Sequence, residues 1–152
     1  MNKHLFKLMK HPWKAAMAMH VFLYRRTNGA IGGRDRNMPI LLLTTTGRKT
    51  GKRRTRPVMY LQDGTNYVIV ASNAGMDSHP AWFWNLRHNP RVMIEVGDVK
   101  MAALAELANP TEREWLWSEL VAKAPFYADY QKHTAREIPV LILRPISQGQ
   151  IL

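Results

Sequence analysis

The chain of 152 residues predicts a small, mostly β antiparallel barrel with added helices, and three observations predict it. About six short apolar or β-branched runs follow one another across glycine-bounded turns, which is the spacing of strands in hairpin succession. Helical patterns fall at the start, in one short insertion and late in the chain, so strands and helices do not alternate as a doubly wound sheet requires. No GxGxxG joins a strand to a helix, so the dinucleotide turn of such sheets is missing.

Residues 3–25 read as one or two amphipathic helices. Leu5, Leu8, Met9, Trp13, Ala16, Met17, His20 and Leu23 recur at three- and four-residue steps, with Lys3, Lys7, Lys10 and Lys14 mainly between them. Pro12 breaks this pattern or opens the second helix. Three roles are open for the segment 1–26: a helix packed on the core, a peripheral contact with an anionic membrane, or a lid over a ligand. Thr27 to Met38, with Gly29, Gly32 and Gly33, is a loop.

Ile40 to Thr46 is a strand, Gly47 to Lys52 a turn, and Arg53 to Tyr60 the returning strand. Asp63 to Asn66 turns the chain into the strand Tyr67 to Ala71. A polar loop, Ser72 to His79, then reaches Pro80, which suits the first position of a short helix carrying Trp82, Phe83, Trp84 and Leu86. Arg91 to Val96 and Lys100 to Leu107 form a hairpin across Gly97-Asp98. Asn109 as cap, Pro110 at N1 and Glu112 at N3 start a helix that runs to about Lys123. Pro125 to His133 is a short helical or looped aromatic segment, and Ile138 to Leu143 is a last strand, apolar on both faces.

Length and the 46% hydrophobic content predict one globular domain, 1–152. There is no cysteine, which removes disulfides, thiolate metal sites and cysteine nucleophiles together. A formal charge of +11 implies a polyanionic partner: nucleic acid, an anionic membrane surface, or a small ligand with several phosphates or carboxylates. No apolar run approaches the roughly 20 residues of a membrane span. Lys7, Lys10, His11 and Pro12 interrupt what would be a signal-peptide core, so a cytoplasmic location is expected, with peripheral contact at the membrane's inner face kept open.

The charge concentrates at one place. Arg48, Lys49, Lys52, Arg53, Arg54 and Arg56 crowd the first hairpin, whose Gly47 and Gly51 permit unusual backbone angles. Amide groups in such a turn form a concave anion site, and arginine forks grip phosphate or carboxylate in two places. It is not a Walker loop: three residues separate the glycines, Arg53 follows Lys52, and a strand comes next. A solvated basic hairpin is the bland alternative. Exposed aromatics do not interleave the basic tip, which counts against single-stranded nucleic acid. The six histidines form no HxxxH or HExxH pair, so no metal is expected. No GxSxG elbow or acid–base dyad is present, so the hard chemistry of an enzyme here would belong to a bound cofactor.

The runs LLLTTTGRKTGKRRTRPVMYLQDGTNYVIVASNAG, HPAWFWNLRHNP and PFYADYQKHTAREIPVLIL, in that order, carry a resemblance over residues 20–146. They resemble the deazaflavin-dependent nitroreductase family of split β-barrel oxidoreductases, relatives of the flavin-binding pyridoxamine-phosphate oxidases. The resemblance implies hydride transfer from reduced coenzyme F-420, an 8-hydroxy-5-deazaflavin with a phosphodiester and an oligoglutamate tail, to an enone, quinone or nitroaromatic acceptor. It implies that Arg48, Lys49 and Thr50 hold the phosphate. The run Arg54, Thr55, Arg56, Pro57, Val58 and Met59 lies beside tail and ring, with Lys52 and Arg54 facing glutamate carboxylates. Val70, Ala71, Ser72 and Asn73 follow the ring, and Ala81, Trp82, Phe83, Trp84 and Asn85 meet the cofactor from another side. Tyr127 and Tyr130 line the acceptor pocket, and these tyrosines or Ser72 stabilise the developing oxyanion or relay a proton. Met59 and Ala124 replace aromatic residues of some members, implying a differently shaped acceptor pocket. FMN is the runner-up cofactor, and a carrier that holds cofactor or lipid without turnover is the non-catalytic alternative.

Overall fold

A computed structural model describes residues 12–147. The expected helical residues before Pro12 lie outside the described residues.

Helix α1 (Pro12–Arg26) is anchored by one side chain. Tyr24 is 1% exposed. Its hydroxyl lies 3.0 Å from Ile40 O and 3.2 Å from Glu95 O as acceptors, and it accepts from the Gly97 amide at 2.8 Å. Arg25 adds a two-pronged bond to Glu95 at 3.0 and 2.9 Å. The rest of the helix lies across the edge of the sheet with Trp13, Met19 and Phe22 exposed.

Strands β1 (Arg34–Asp35), β2 (Met38–Thr46), β3 (Arg53–Met59), β4 (Leu61–Asp63) and β5 (Asn66–Val70) are followed by α2 (Ala81–His88). Then come β6 (Arg91–Val96), β7 (Val99–Leu107), α3 (Pro110–Lys123), α4 (Phe126–Lys132) and β8 (Val140–Pro145). All neighbouring strands are antiparallel. The path β3-β2-β6-β7-β8-β5-β4 ends one residue from where it began, since only Tyr60 separates β3 from β4. The sheet therefore curls into a barrel whose seam is covalent.

Side-chain alternation divides the core. Leu41, Leu43, Ile69, Ile94, Leu141 and Leu143 fill the barrel, while Ile40, Leu42, Val68, Val70, Val140 and Ile142 point outward. The outward set is buried too: α3 and α4 cover Val68, Val70, Val140 and Ile142, which explains why the last strand is apolar on both faces, and Val21 and Tyr24 of α1 cover Ile40 and Leu42. Asn109 accepts from the Glu112 amide at 2.8 Å and Glu112 accepts from the Asn109 amide at 3.1 Å, the reciprocal cap expected at the start of α3.

Two short strands were not legible. β1 arises within the expected loop because Arg36 and Asn37 both adopt positive φ (46° and 65°) and turn the chain back without a glycine. β4 is only three residues long and continues β3 across a kink at Tyr60. β8 begins two residues later than expected: Ile138 is held by the Gln131 and Arg113 side chains at 3.0 and 2.9 Å instead of by a neighbouring strand.

Candidate functional site

The β2–β3 turn is a closed backbone ring. Gly47 N donates to Lys52 O at 2.7 Å, Gly51 N to Gly47 O at 2.8 Å, and Lys52 N to Thr50 Oγ1 at 3.2 Å. A side chain at Gly47 would stand 2.7 Å from Thr50 Oγ1 and would displace that hydroxyl from its bond to the Lys52 amide. Gly51 turns at φ +70°. No partner for the Lys49 or Thr50 amide appears among the described residues.

Asn85, buried in α2, fastens this turn to the body of the protein. Its Oδ1 accepts from the Arg48 amide and its Nδ2 donates to Thr45 Oγ1, each at 3.1 Å. Thr44 and Thr55 share a hydroxyl bond at 2.8 Å across β2 and β3. The three threonines before the turn thus have a local reason: two of them are buried with their hydroxyls used.

A cleft of about 1350 Å³ opens between the turn, α1 and the loop that leads into α2. Lys14, Arg25 and Arg26 of α1 face Arg48, Lys49, Arg54 and Arg56 across it, and no carboxylate is among its lining residues. Of these seven cations Arg25 is paired, with Glu95. Burial, then repulsion from Arg54, pushes the Arg56 guanidinium below its ordinary value. An uncompensated cation wall of this kind fits a polyanion in donor type and in charge.

The cleft gathers Arg48, Lys49, Thr50, Arg54, Thr55, Arg56, Pro57, Asn73, Ala81, Trp82 and Asn85 from the sequence-predicted set. The other predicted residues stand elsewhere. Ala71, Phe83 and Val58 belong to the barrel interior, and Val70 and Met59 to the outer core. Lys52 and Trp84 are exposed outside the cleft lining, with the Arg48 guanidinium 5.8 Å from the Trp84 ring. Ser72 is half-buried beside Asn73, its carbonyl bound by Arg136 at 2.7 Å.

Tyr127 is 4% exposed and lies among Met59, Trp117 and Phe126. Its hydroxyl donates to Met59 Sδ at 3.7 Å, and burial pushes its ionisation up to about 12. Tyr130 is half-buried, and its hydroxyl accepts from Arg36 Nη1 at 3.2 Å. That guanidinium also lies 4.0 Å above the Phe126 ring. Gly75, at φ +78°, keeps α4 against the loop of residues 71–79, since a side chain there would meet the Tyr130 backbone at 2.9 Å.

Sequence reasoning gave His79 and Arg136 no role, although both stand within the runs that carry the resemblance, and it left three roles open for α1. The helix wall of the cleft follows from Tyr24, whose partners are 16 and 71 residues away.

A family model of F420H2-dependent quinone reductases matches residues 16–145. The chain belongs to that family. An F420H2-dependent quinone reductase of Mycobacterium tuberculosis is 39% identical over 140 residues, covering 90% of this chain and 94% of the relative. A solved F420-H2-dependent reductase is 41% identical, with a TM-score of 0.65, covering 70% of this chain and 94% of that one. A Listeria innocua structure assigned to the pyridoxamine 5′-phosphate oxidases, 17% identical, agrees in fold alone (TM-score 0.50, covering 71% and 84%). This quinone reductase family member is therefore an oxidoreductase of split β-barrel fold, and its cofactor is coenzyme F-420. Among the described residues no group of acids or histidines could hold a metal, and no helix is long and apolar enough to cross a membrane.

Proposed function

We propose that the chain reduces a quinone, with the cleft between α1 and the β2–β3 turn holding reduced coenzyme F-420 and admitting the acceptor beside it. The observation that carries this is the cation wall: seven basic side chains and no carboxylate around one cleft. Its 1350 Å³ exceeds the roughly 300–1,000 Å³ of an ordinary ligand site, which gives space for two molecules.

When bound, the deazaflavin supplies the hydride, and one further proton from water completes the hydroquinone. The chain's own residues then have separate tasks. The free amides of Lys49 and Thr50, with Arg48, grip the phosphodiester. Arg54 and Arg56, joined by Lys52 beyond the cleft, face the tail carboxylates. Asn85 keeps the turn in place for both. Asn73, Ala81 and Trp82 border the ring from the opposite wall. Val58, Met59, Val70, Ala71, Phe83 and Trp84 act from behind as the packing that positions those walls. On the acceptor side the resemblance assigns Ser72, Tyr127 and Tyr130. None of the three is among the lining residues of the cleft. Tyr127, whose phenol ionises near 12, is buried with its hydroxyl given to Met59 Sδ and keeps its proton at neutral pH. Donation from it to a developing oxyanion therefore requires that hydroxyl to leave Met59. The basic wall adds to that stabilisation, since negative charge on the acceptor grows in a field of like-signed cations.

The test is an anaerobic fluorescence titration with coenzyme F-420. Arg48→Glu combined with Lys49→Glu should weaken binding at least on the order of a hundredfold, as two charge-assisted contacts become repulsive. Unchanged affinity in the double variant would remove the turn from the site.

A further inference from the structure

Arg136, in the segment that enters β8, gathers the loop of residues 71–79. It donates from Nε to Met76 O at 2.8 Å, from Nη2 to Ser72 O at 2.7 Å and from Nη1 to Ala71 O at 3.2 Å. The same Nη1 stands 3.0 Å from Nδ1 of His79. A guanidinium offers donors only, so Nδ1 of His79 is the accepting, unprotonated nitrogen and the ring proton sits on Nε2. Protonating Nδ1 would set two cations against each other, and burial together with Arg136 holds His79 below the usual histidine range. Asp77, held by Thr134 at 3.0 Å, is the nearby anion, and it acts on Arg136.

The ring is fixed as well as its tautomer. Phe83 lies 4.5 Å and Trp84 5.3 Å from it, centre to centre. Nε2 has no partner among the described residues and is not sealed from solvent, and the ring lines the cleft. A preorganised N–H donor therefore stands in the lining of the space assigned to the cofactor, and the resemblance gave this residue no role although His79 opens the run HPAWFWNLRHNP.

We propose that His79 is a cofactor-binding residue, locked by Arg136 with its proton on Nε2, and that it donates this proton in a hydrogen bond to an oxygen of the bound coenzyme. The proposal rests on the cleft being the coenzyme F-420 site. Both the ring carbonyls and the phosphodiester offer such an oxygen, so the test uses two probes: the complete coenzyme and the tail-less deazaflavin riboside.

In the full chain labelled with ¹⁵N-histidine, and assigned by comparison with His79→Phe, the His79 ring should show a protonated Nε2 and a bare Nδ1 at about pH 6–8. Its Nε2 proton should shift when the complete coenzyme is added. His79→Phe keeps the stacking and removes the donor, so it should weaken binding about tenfold. A loss with both probes places the acceptor on the ring, and a loss with the complete coenzyme alone places it on the tail. A proton on Nδ1, or wild-type affinity of His79→Phe for both probes, would overturn the proposal. Failure of the wild-type protein to bind the coenzyme at all would instead overturn the cleft assignment, and the donor role with it, while leaving the tautomer resonances as expected.

Discussion

Tyr127 shows how one side chain can serve packing and still present a testable charge state. Burial is the main reason its phenol ionises near 12 and not near 10, with Arg36 opposing and Tyr130 assisting. The folded state keeps a proton that the unfolded chain loses first, so this contribution is complete below pH 10 and disappears as pH rises toward 12. Two units correspond to roughly 3 kcal/mol at most. Tyr127→Phe should therefore flatten the alkaline fall in stability, read as the urea midpoint at pH 8 and about pH 11. Tyr24 and Tyr60 are also raised by burial, so the variant's curve should be flatter but not flat. Equal losses in both proteins would contradict the burial of the phenol. At the same scale, Asn85 was legible only as part of a family motif. That it ties Arg48 to Thr45 needed the side-chain geometry.

Elements divide into those that hold the barrel and those that build the site. α3 belongs to the first group: Leu116 and Leu120 pack on the outer face of the sheet, away from the cleft. Its reciprocal Asn109–Glu112 cap was readable from four consecutive residues, because capping is local chemistry. Asn109→Ala should cost about 1 kcal/mol in urea unfolding while leaving coenzyme affinity unchanged. A changed affinity would tie α3 to the site after all. The β2–β3 hairpin belongs to the second group, and it too was visible in the sequence, since two glycines and six cations sit within ten contiguous residues. β1 was not: a two-residue strand closed by Arg36 and Asn37 in left-handed conformations carries no glycine signal.

For the whole molecule, the formal charge of +11 acquires a location. Seven cations converge on the cleft from α1 and the hairpin, and among the described residues only Arg25 of the seven holds an ion pair. The grip on a multiply charged coenzyme should then depend on salt. Its affinity should fall on the order of tenfold between low salt and roughly 0.5 M, as screening shortens to a few ångström, while the tail-less deazaflavin riboside loses little. Parallel salt curves for the two ligands would show that the wall's charge does not supply the binding.

Contiguous residues fixed what depends on neighbours along the chain: alternation gave the strands, the glycine-bounded turn gave the basic hairpin that walls the cleft, and the ordered motifs gave the family. Only folding decided which distant residues meet. His79 and Arg136 are 57 residues apart, Arg48 and Asn85 are 37 apart, and α1 becomes a wall of the cleft through Tyr24. Such contacts depend on how the barrel closes at Tyr60, and no local pattern of charge or hydrophobicity encodes that closure.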